Sequence, residues 1–159
     1  MIVLLMGVSG AGKTTVGKLL ASELGWSFAD ADDYHPAANV EKMRNGVPLT
    51  DADREPWLES LHELIAGWIA GGENGVLACS ALKKEYRDRL VMSAAVRVVY
   101  LKADPVVLRQ RLHERRGHYM KEDMLDSQIA TLEEPRDAIV MCTDRPPGEI
   151  VRTIRELIE

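Results

Sequence analysis

The chain lacks an excess of positive charge. Its 159 residues include 20 Lys and Arg against 25 Asp and Glu, which gives a net charge of -5. Proteins that bind nucleic acid through a broad basic surface usually have the opposite balance. We therefore expect no nucleic-acid partner, and any functional basic cluster must be local.

Cysteines and long apolar runs are also scarce. Cys79 and Cys142 each end a short apolar run, which favours buried thiols in a reducing cytoplasm over a disulfide framework but leaves a bond between the two open. The apolar first six residues lack the positive flank and cleavage site of a signal peptide, and no stretch approaches the ~18 apolar residues of a membrane span. We expect a soluble cytoplasmic protein with no membrane partner.

Short apolar runs alternate with helical patterns along the chain. The predicted strands cover residues 2–6, 26–29, 76–79, 96–101 and 138–142. The length fits about seven helices, and four of them are expected over residues 14–24, 36–46, 55–69 and 150–158. Strands this apolar need cover on both faces, so the pattern predicts an α/β fold with a five-stranded parallel sheet between two helical layers. The length and the absence of a linker indicate one domain over residues 1–159.

The segment GVSGAGKT at residues 7–14 matches the phosphate-binding pattern G-x-x-x-x-G-K-[ST]. It lies between the first predicted strand and the first predicted helix, as this motif requires. Its backbone N–H groups would face a polyphosphate, Lys13 would reach the outer phosphates and the Thr14 hydroxyl would bind Mg²⁺. The predicted nucleotide-binding residues here are Gly7, Ser9, Gly10, Ala11, Gly12, Lys13, Thr14 and Thr15. A glycine turn with an incidental lysine is the alternative.

Carboxylates follow the second predicted strand rather than the third. The third strand ends in Cys79 and Ser80, whereas Asp30 and Asp32 follow the second. In an extended segment these two side chains project to the same side, so Asp30 could organise Mg²⁺ through water while Asp32 accepts a proton from a hydroxyl nucleophile. This division suits a small-molecule kinase. A helix cap or turn before Pro36 is the alternative.

Arginines are concentrated near the most hydrophilic stretch, residues 113–126. Arg109, Arg111, Arg115 and Arg116 lie in it or just before it. Phosphoryl transfer needs positive charge on the moving group and exclusion of water, which a closing lid with arginines supplies. The chain has no N-K-x-D base-reading motif of a GTPase. A solvated charged helix is the alternative explanation.

Several segments together resemble the gluconokinases, P-loop kinases related to shikimate kinase and adenylate kinase. The likeness spans nearly the whole chain and is carried by residues 6–14 (MGVSGAGKT), 30–36 (DADDYHP), 39–43 (NVEKM), 46–57 (GVPLTDADREPW), 79–88 (CSALKKEYRD), 111–119 (RLHERRGHY) and 127–135 (SQIATLEEP). The P-loop is common to many proteins, but the HP, DRxPW and CSALK segments are far more specific.

This resemblance implies a three-layer P-loop kinase fold with strand order 2-3-1-4-5 and a short lid at about residues 117–124. It also implies a homodimer that uses ATP and Mg²⁺ to phosphorylate D-gluconate at its 6-hydroxyl, giving 6-phospho-D-gluconate and ADP. Asp32 lies nineteen residues after Lys13, where shikimate kinases carry the second acid of their Asp-x-Asp pair on the acceptor hydroxyl. The expected catalytic residues are Lys13, Asp32 and Arg115.

The chemistry of an aldonate indicates which side chains would line its pocket. One carboxylate and five hydroxyls need a cation at one end and polar groups at the other. Arg54 can hold the carboxylate through its fork, with Lys83 as a second candidate, although either could be a surface residue. The expected substrate-binding residues are Asp32, His35, Arg54, Ser80, Ala81, Lys83, His118 and Gln128. The apolar residues Ile129 and Leu132 indicate that the helix of Gln128 serves mainly for packing. For the nucleotide, the resemblance adds Arg111, Arg115, Thr143, Arg145 and Pro146.

Other functions compete with this hypothesis. A kinase for another polyol acid, such as shikimate, is the nearest, and a nucleoside monophosphate kinase would need more arginines at its acceptor site. A nucleotide-dependent regulator would use the P-loop without phosphorylating a metabolite, which leaves Asp30, Asp32 and Arg54 unexplained. His113 and His118 have no metal-ligand spacing with other His or Cys, so we expect no zinc site there. Trp57 and Trp68 are expected to pack on helix faces.

Overall fold

A computed structural model describes residues 1–114 and 122–159 of the chain. Five parallel strands form one sheet in the order β2-β3-β1-β4-β5. The strands are β1 (Ile2–Met6), β2 (Ser27–Asp30), β3 (Gly75–Ala78), β4 (Val96–Lys102) and β5 (Ile139–Cys142). The helices are α1 (Lys13–Leu24), a short 3₁₀ helix (Ala31–Tyr34), α2 (Ala37–Arg44), α3 (Asp51–Ala70), α4 (Lys84–Leu90), α5 (Pro105–Glu114), α6 (Glu122–Thr131) and α7 (Pro147–Ile158). The predicted α/β architecture and strand order are confirmed.

The central strand β1 is buried along its whole length and separates two apolar cores. Val3 and Leu5 face one core, which contains buried residues of α1 and α7. Ile2 and Leu4 face the other, which contains buried residues of α3 and α4. Residues of a strand alternate between the two faces of the sheet, so each core takes every second residue of β1. The predicted cover on both faces is therefore confirmed.

Two helix boundaries illustrate how local sequence sets the fold. Helix α1 ends at Leu24, as predicted, and Gly25 after it adopts a left-handed φ of 69°. Helix α3 begins at Asp51, four residues before the predicted start, because Thr50 and Asp53 form a capping box. The hydroxyl of Thr50 accepts from the backbone N–H of Asp53, and the Asp53 carboxylate accepts from the backbone N–H of Thr50. This earlier start carries Arg54 on the first turns of α3.

The loop after β1 depends on a glycine that approaches another strand. Gly7 has a φ of 154°, and a Cβ added there would lie 2.8 Å from the carbonyl oxygen of Leu101 in β4. No real Cβ makes so short a contact, so a side chain would push the loop away from the sheet. All five strands are parallel, so their carboxyl ends meet at the edge where this loop lies, which places the site there.

Two predictions about this edge are wrong. Residues 31–34 form the 3₁₀ helix rather than an extended segment, because a carboxylate oxygen of Asp30 accepts from the backbone N–H of Asp32 and caps the turn. Cys142 is exposed instead of buried, since β5 is an edge strand, whereas Cys79 is buried as expected and both thiols are free.

None of the helices in the described residues combines the length and apolar character needed to cross a bilayer.

Candidate active site

The phosphate loop turns directly into helix α1. Gly12, at the helix N-cap, has a left-handed φ of 96°. The side chain of Lys13 folds back over the loop, and its Nζ donates to the carbonyl oxygens of Gly7 (2.8 Å) and Val8 (3.0 Å). The positive end of the helix and the lysine charge therefore both lie at the loop, which is the arrangement that binds phosphate oxygens.

Thr14 and Asp30 bring hydroxyl and carboxylate oxygens together beside this loop. Thr14 Oγ1 donates to Asp30 Oδ2 over 2.8 Å, while Asp30 Oδ1 caps the 3₁₀ helix. Asp30 thus caps a turn, as the alternative explanation held, and also faces the phosphate loop. Mg²⁺ in phosphoryl-transfer sites typically takes one or two protein oxygens, with waters and phosphates supplying the rest. The pair fits that donor set, and in the described part of the chain no group of three His, Cys, Asp or Glu side chains offers a metal site.

A central cavity opens between the phosphate loop, the end of β3 and helices α2, α3 and α6. It brings together five predicted substrate residues, Asp32, His35, Arg54, Ser80 and Gln128, with Lys13 and Thr14. The other lining residues are Ser9, Gly10, Gly12, Asp30, Met43, Leu49, Trp57, Ala78, Cys79, Leu82, Ser127 and Thr131. The lining therefore combines apolar side chains with polar and charged ones, as a pocket for a polar small molecule requires.

The structure distinguishes among three other predicted substrate residues, Ala81, Lys83 and Gln128, by their position relative to the central cavity. Ala81 is fully buried, with a φ of 43°, and neither it nor Lys83 lines the central cavity. Gln128 lies close to the phosphate loop, where its Oε1 accepts from the backbone N–H of Ser9 over 2.8 Å. Gln128 therefore links helix α6 to the loop, although the apolar spacing of its helix indicated mainly packing.

His35 is held between an aromatic ring and an amide. Its imidazole stacks on Trp57, with ring centroids 4.4 Å apart and planes 9° from parallel. Burial, together with the positive charge of Arg54, lowers the pKa of His35 to about 4, so the ring is neutral at pH 7. Trp57 is buried as predicted, and its Nε1 donates to the carbonyl oxygen of Ala31. Its second contribution, as a platform for His35, was not predicted.

Arg54 is fixed by a network that the sequence analysis missed. Its Nη1 donates to the carbonyl oxygen of Leu49 (2.7 Å) and to the hydroxyl of Tyr86 (3.4 Å), and its guanidinium lies over the Tyr86 ring. The Tyr86 hydroxyl donates to Asp51, which also accepts from Lys83 over 2.9 Å. The hydrogen bond from Tyr86, reinforced by Lys83, lowers the pKa of Asp51. Lys83 is therefore linked to Arg54 through Asp51 and Tyr86.

A second cavity, called the side cavity here, also borders the phosphate loop. It contains Gly10, Ala11, Gly12, Thr15, Arg111, Thr143 and Arg145 of the predicted nucleotide residues, with Val16, Pro147 and Ile150. Arg111 joins its two walls by donating to the carbonyl oxygens of Gly10 (3.1 Å) and Thr143 (3.3 Å). Pro147 lines this cavity, whereas Pro146 is the N-cap of helix α7. Gly10 and Gly12 line both cavities, so the two cavities meet at the phosphate loop.

Three predictions concern the segment after helix α5. Arg115, His118 and residues 117–121 of the predicted lid lie outside the described residues. Residues 122–124, the end of that predicted lid, begin helix α6. The catalytic and substrate contacts expected from Arg115 and His118 remain predictions.

Comparison with known proteins identifies relatives over most of the chain. A family model for the AAA domain matches residues 2–135. A probable gluconokinase from Xenopus tropicalis is 49% identical over 151 residues, which cover 85% of this chain and 80% of that protein.

Solved structures agree with these relatives. A gluconokinase from Sinorhizobium meliloti superposes with a TM-score of 0.83 at 42% identity, covering 94% of this chain and 86% of that one. An unliganded sugar kinase from a Janibacter species superposes with a TM-score of 0.90 at 40% identity, covering 98% and 92%. The similarity therefore extends over both cavities as well as the phosphate loop.

Proposed function

We propose that this chain, which belongs to the gluconokinase family, transfers the terminal phosphoryl group of ATP to the 6-hydroxyl of D-gluconate. The products would be 6-phospho-D-gluconate and ADP. The observation that carries the proposal is that Lys13, Asp32 and Arg54 line one cavity. A phosphate-binding lysine, a carboxylate and a carboxylate-binding arginine are what a kinase for a sugar acid needs.

In this proposal Arg54 binds the carboxylate of gluconate and His35 and Ser80 bind hydroxyls along the chain. The guanidinium can make two parallel hydrogen bonds to a carboxylate, and the bonds to Leu49 and Tyr86 restrict its orientation. With its carboxylate held by Arg54, gluconate would direct its 6-hydroxyl end toward the phosphate loop. Arg54 would thereby select sugar acids over uncharged polyols.

Asp32 would orient the 6-hydroxyl and accept its proton as the oxygen attacks the γ-phosphorus. The new O–P bond forms as the bond from the γ-phosphorus to the bridging oxygen breaks, and ADP leaves with that electron pair. Lys13 and the backbone N–H groups of the loop stabilise the negative charge on the transferred group. We expect Arg115 to add positive charge there, as the family resemblance implies.

Mg²⁺ would be held by Thr14 directly and by Asp30 through water, and when bound it neutralises phosphate charge. The oxygens of Thr14 and Asp30 lie 2.8 Å apart, next to the phosphate loop. The adenosine of ATP would occupy the side cavity beside Thr15, Arg111 and the loop with Thr143, Arg145 and Pro146. Its triphosphate would cross the loop toward Lys13.

The product identifies the reaction. Incubation with ATP, Mg²⁺ and D-gluconate should give a phosphate ester whose ³¹P signal is coupled to two protons on one carbon, because C6 is a CH₂ group. Coupling to one proton would place the phosphate on a secondary hydroxyl and contradict the assigned position. Absence of an ester would contradict the proposed function.

Arg54→Lys should weaken gluconate binding although the charge is kept. An ammonium group cannot make the two parallel hydrogen bonds of a guanidinium, so we expect the KM for gluconate to rise about tenfold or more and the KM for ATP to change much less. Steady-state kinetics with each substrate varied in turn measure both constants. Arg89→Lys is the matched control, because Arg89 on α4 pairs with Glu55 and Glu59 of α3 and does not line the central cavity. Parallel shifts in both constants would place Arg54 outside the acceptor site.

Asp30→Asn should raise the Mg²⁺ concentration needed for half-maximal rate. The change removes a negative charge beside Thr14 but keeps an oxygen that can accept from the Thr14 hydroxyl. Titration of the rate with Mg²⁺ at fixed ATP gives that concentration. Asp33→Asn, which alters an exposed neighbour that does not line the central cavity, should leave it unchanged. An equal requirement in the Asp30 variant and the wild type would remove Asp30 from the metal site.

We also propose that the chain folds as a single kinase domain and acts in the cytoplasm as a homodimer. The homodimer is supported by the family resemblance and the cytoplasmic location by the composition of the chain. Size-exclusion chromatography with light scattering would give the mass of the protein in solution. A mass near 17.7 kDa, the mass of one chain, would contradict the dimer.

A further inference from the structure

Asn39 is a buried polar residue to which neither the sequence motifs nor the proposed reaction assigns a task. It lies on helix α2 with 4% of its surface exposed. Its Nδ2 donates to the backbone carbonyl oxygen of Asp53, 2.8 Å away, and lies 3.2 Å from Nδ1 of His35. One amide group thus joins helix α3 to a histidine that lines the central cavity.

The carbonyl of Asp53 fixes which way the Asn39 amide points. A backbone carbonyl only accepts hydrogen bonds, so the amide atom beside it must be the NH₂ nitrogen. The reverse orientation would place two oxygens 2.8 Å apart with no proton between them. The NH₂ group has a second hydrogen, and His35 Nδ1 lies within its reach.

An Nδ1 that accepts a hydrogen bond carries no proton. Neutral imidazole has one protonated nitrogen, so the proton of His35 must then lie on Nε2. The ring is kept neutral by its burial against Trp57 and by the nearby positive charge of Arg54. Nε2 is the only polar ring atom left for a ligand in the cavity that His35 lines.

We infer that Asn39 is a positioning residue that holds His35 as the neutral Nε2–H tautomer, so that His35 donates a hydrogen bond to an oxygen of the bound substrate. The inference rests on the proposed function for the identity of that substrate. It makes His35 and Arg54 two donors in the same cavity, which suits a ligand rich in acceptor oxygens. A histidine in the other tautomer would instead present a bare acceptor beside the cationic guanidinium.

The tautomer can be measured directly in the unliganded full chain. Long-range ¹H–¹⁵N correlation spectra of protein labelled at histidine distinguish a protonated ring nitrogen from a bare one, and the signals missing in His35→Gln assign His35. At pH 7 we expect a protonated Nε2 and a bare Nδ1. A protonated Nδ1, alone or together with Nε2, would overturn the inference.

A matched pair of variants tests the donor in the substrate complex. The amide nitrogen of a glutamine can take the position of His Nε2, and that of an asparagine the position of Nδ1, while both changes remove the stack on Trp57. We expect the KM for gluconate to be about tenfold higher in His35→Asn than in His35→Gln, with similar KM values for ATP. Equal gluconate KM values would overturn the donor assignment. Failure of the wild type to phosphorylate gluconate would refute the proposed function but leave the tautomer result standing.

Discussion

Lys13→Ala is expected to lower the rate of phosphoryl transfer by about 10³-fold or more while the protein stays folded. In the proposed mechanism Lys13 places a positive charge next to the transferred phosphoryl group, where negative charge develops, and no other lysine lines the central cavity among the described residues. Its side chain belongs to neither apolar core, and it donates hydrogen bonds to the loop carbonyls of Gly7 and Val8. Water can replace those bonds once the side chain is shortened.

A coupled assay for ADP release and a thermal melt measure the two halves of this prediction. Lys18→Ala, which removes an exposed lysine from the same helix, is the control and should keep the wild-type rate. A Lys13→Ala protein with activity within a few-fold of wild type would contradict the assignment of the phosphate loop. A large drop in melting temperature would instead give Lys13 a structural role.

Asp32→Asn should lower kcat by roughly 10²- to 10⁴-fold, or about 3 to 5 kcal/mol of barrier. Asparagine keeps the shape of the side chain but cannot accept a proton from the substrate hydroxyl. The 3₁₀ helix leaves Asp32 exposed at the cavity, and Asp30 caps that helix through the backbone N–H of residue 32, which asparagine retains. ATP affinity should therefore be unchanged.

Comparison with Asp30→Asn separates the two acids. Added Mg²⁺ should restore much of the rate of the Asp30 variant and none of the rate lost at Asp32. Kinetics at saturating Mg²⁺ with Asp33→Asn as a control make the comparison. A kcat within about tenfold of wild type for Asp32→Asn, or its rescue by Mg²⁺, would remove the proton-accepting role from Asp32.

The parts of the fold that depend on local sequence could be predicted. The apolar runs place all five strands to within one residue at either end, and the spelling of residues 7–14 identifies the phosphate loop. The strand order rested on the family resemblance, because apolar periodicity shows which residues are buried but not which strands are neighbours. The two acids were correctly placed at one cavity for a wrong reason, since Asp30 caps a 3₁₀ helix instead of alternating with Asp32 along a strand.

The supporting contacts of the site could not be read from local patterns. Tyr86 touches Arg54 from 32 positions away in the sequence, and Asn39 reaches the backbone of Asp53 across 14. Such contacts depend on how helices pack, and helix periodicity alone makes Tyr86 just another buried aromatic residue. Lys83 shows the converse, because its charge suggested a substrate contact and its geometry pairs it with Asp51.

A panel of acceptors measures whether the central cavity selects a sugar acid. ATP-dependent ADP release should be measured with D-gluconate, with shikimate, with the uncharged polyol sorbitol and with nucleoside monophosphates at equal concentrations. We expect gluconate to give by far the highest kcat/KM, with sorbitol near the background rate because Arg54 has no carboxylate to bind. Equal or greater stimulation by shikimate or a monophosphate, or no stimulation by any acceptor, would contradict the proposed phosphorylation of gluconate.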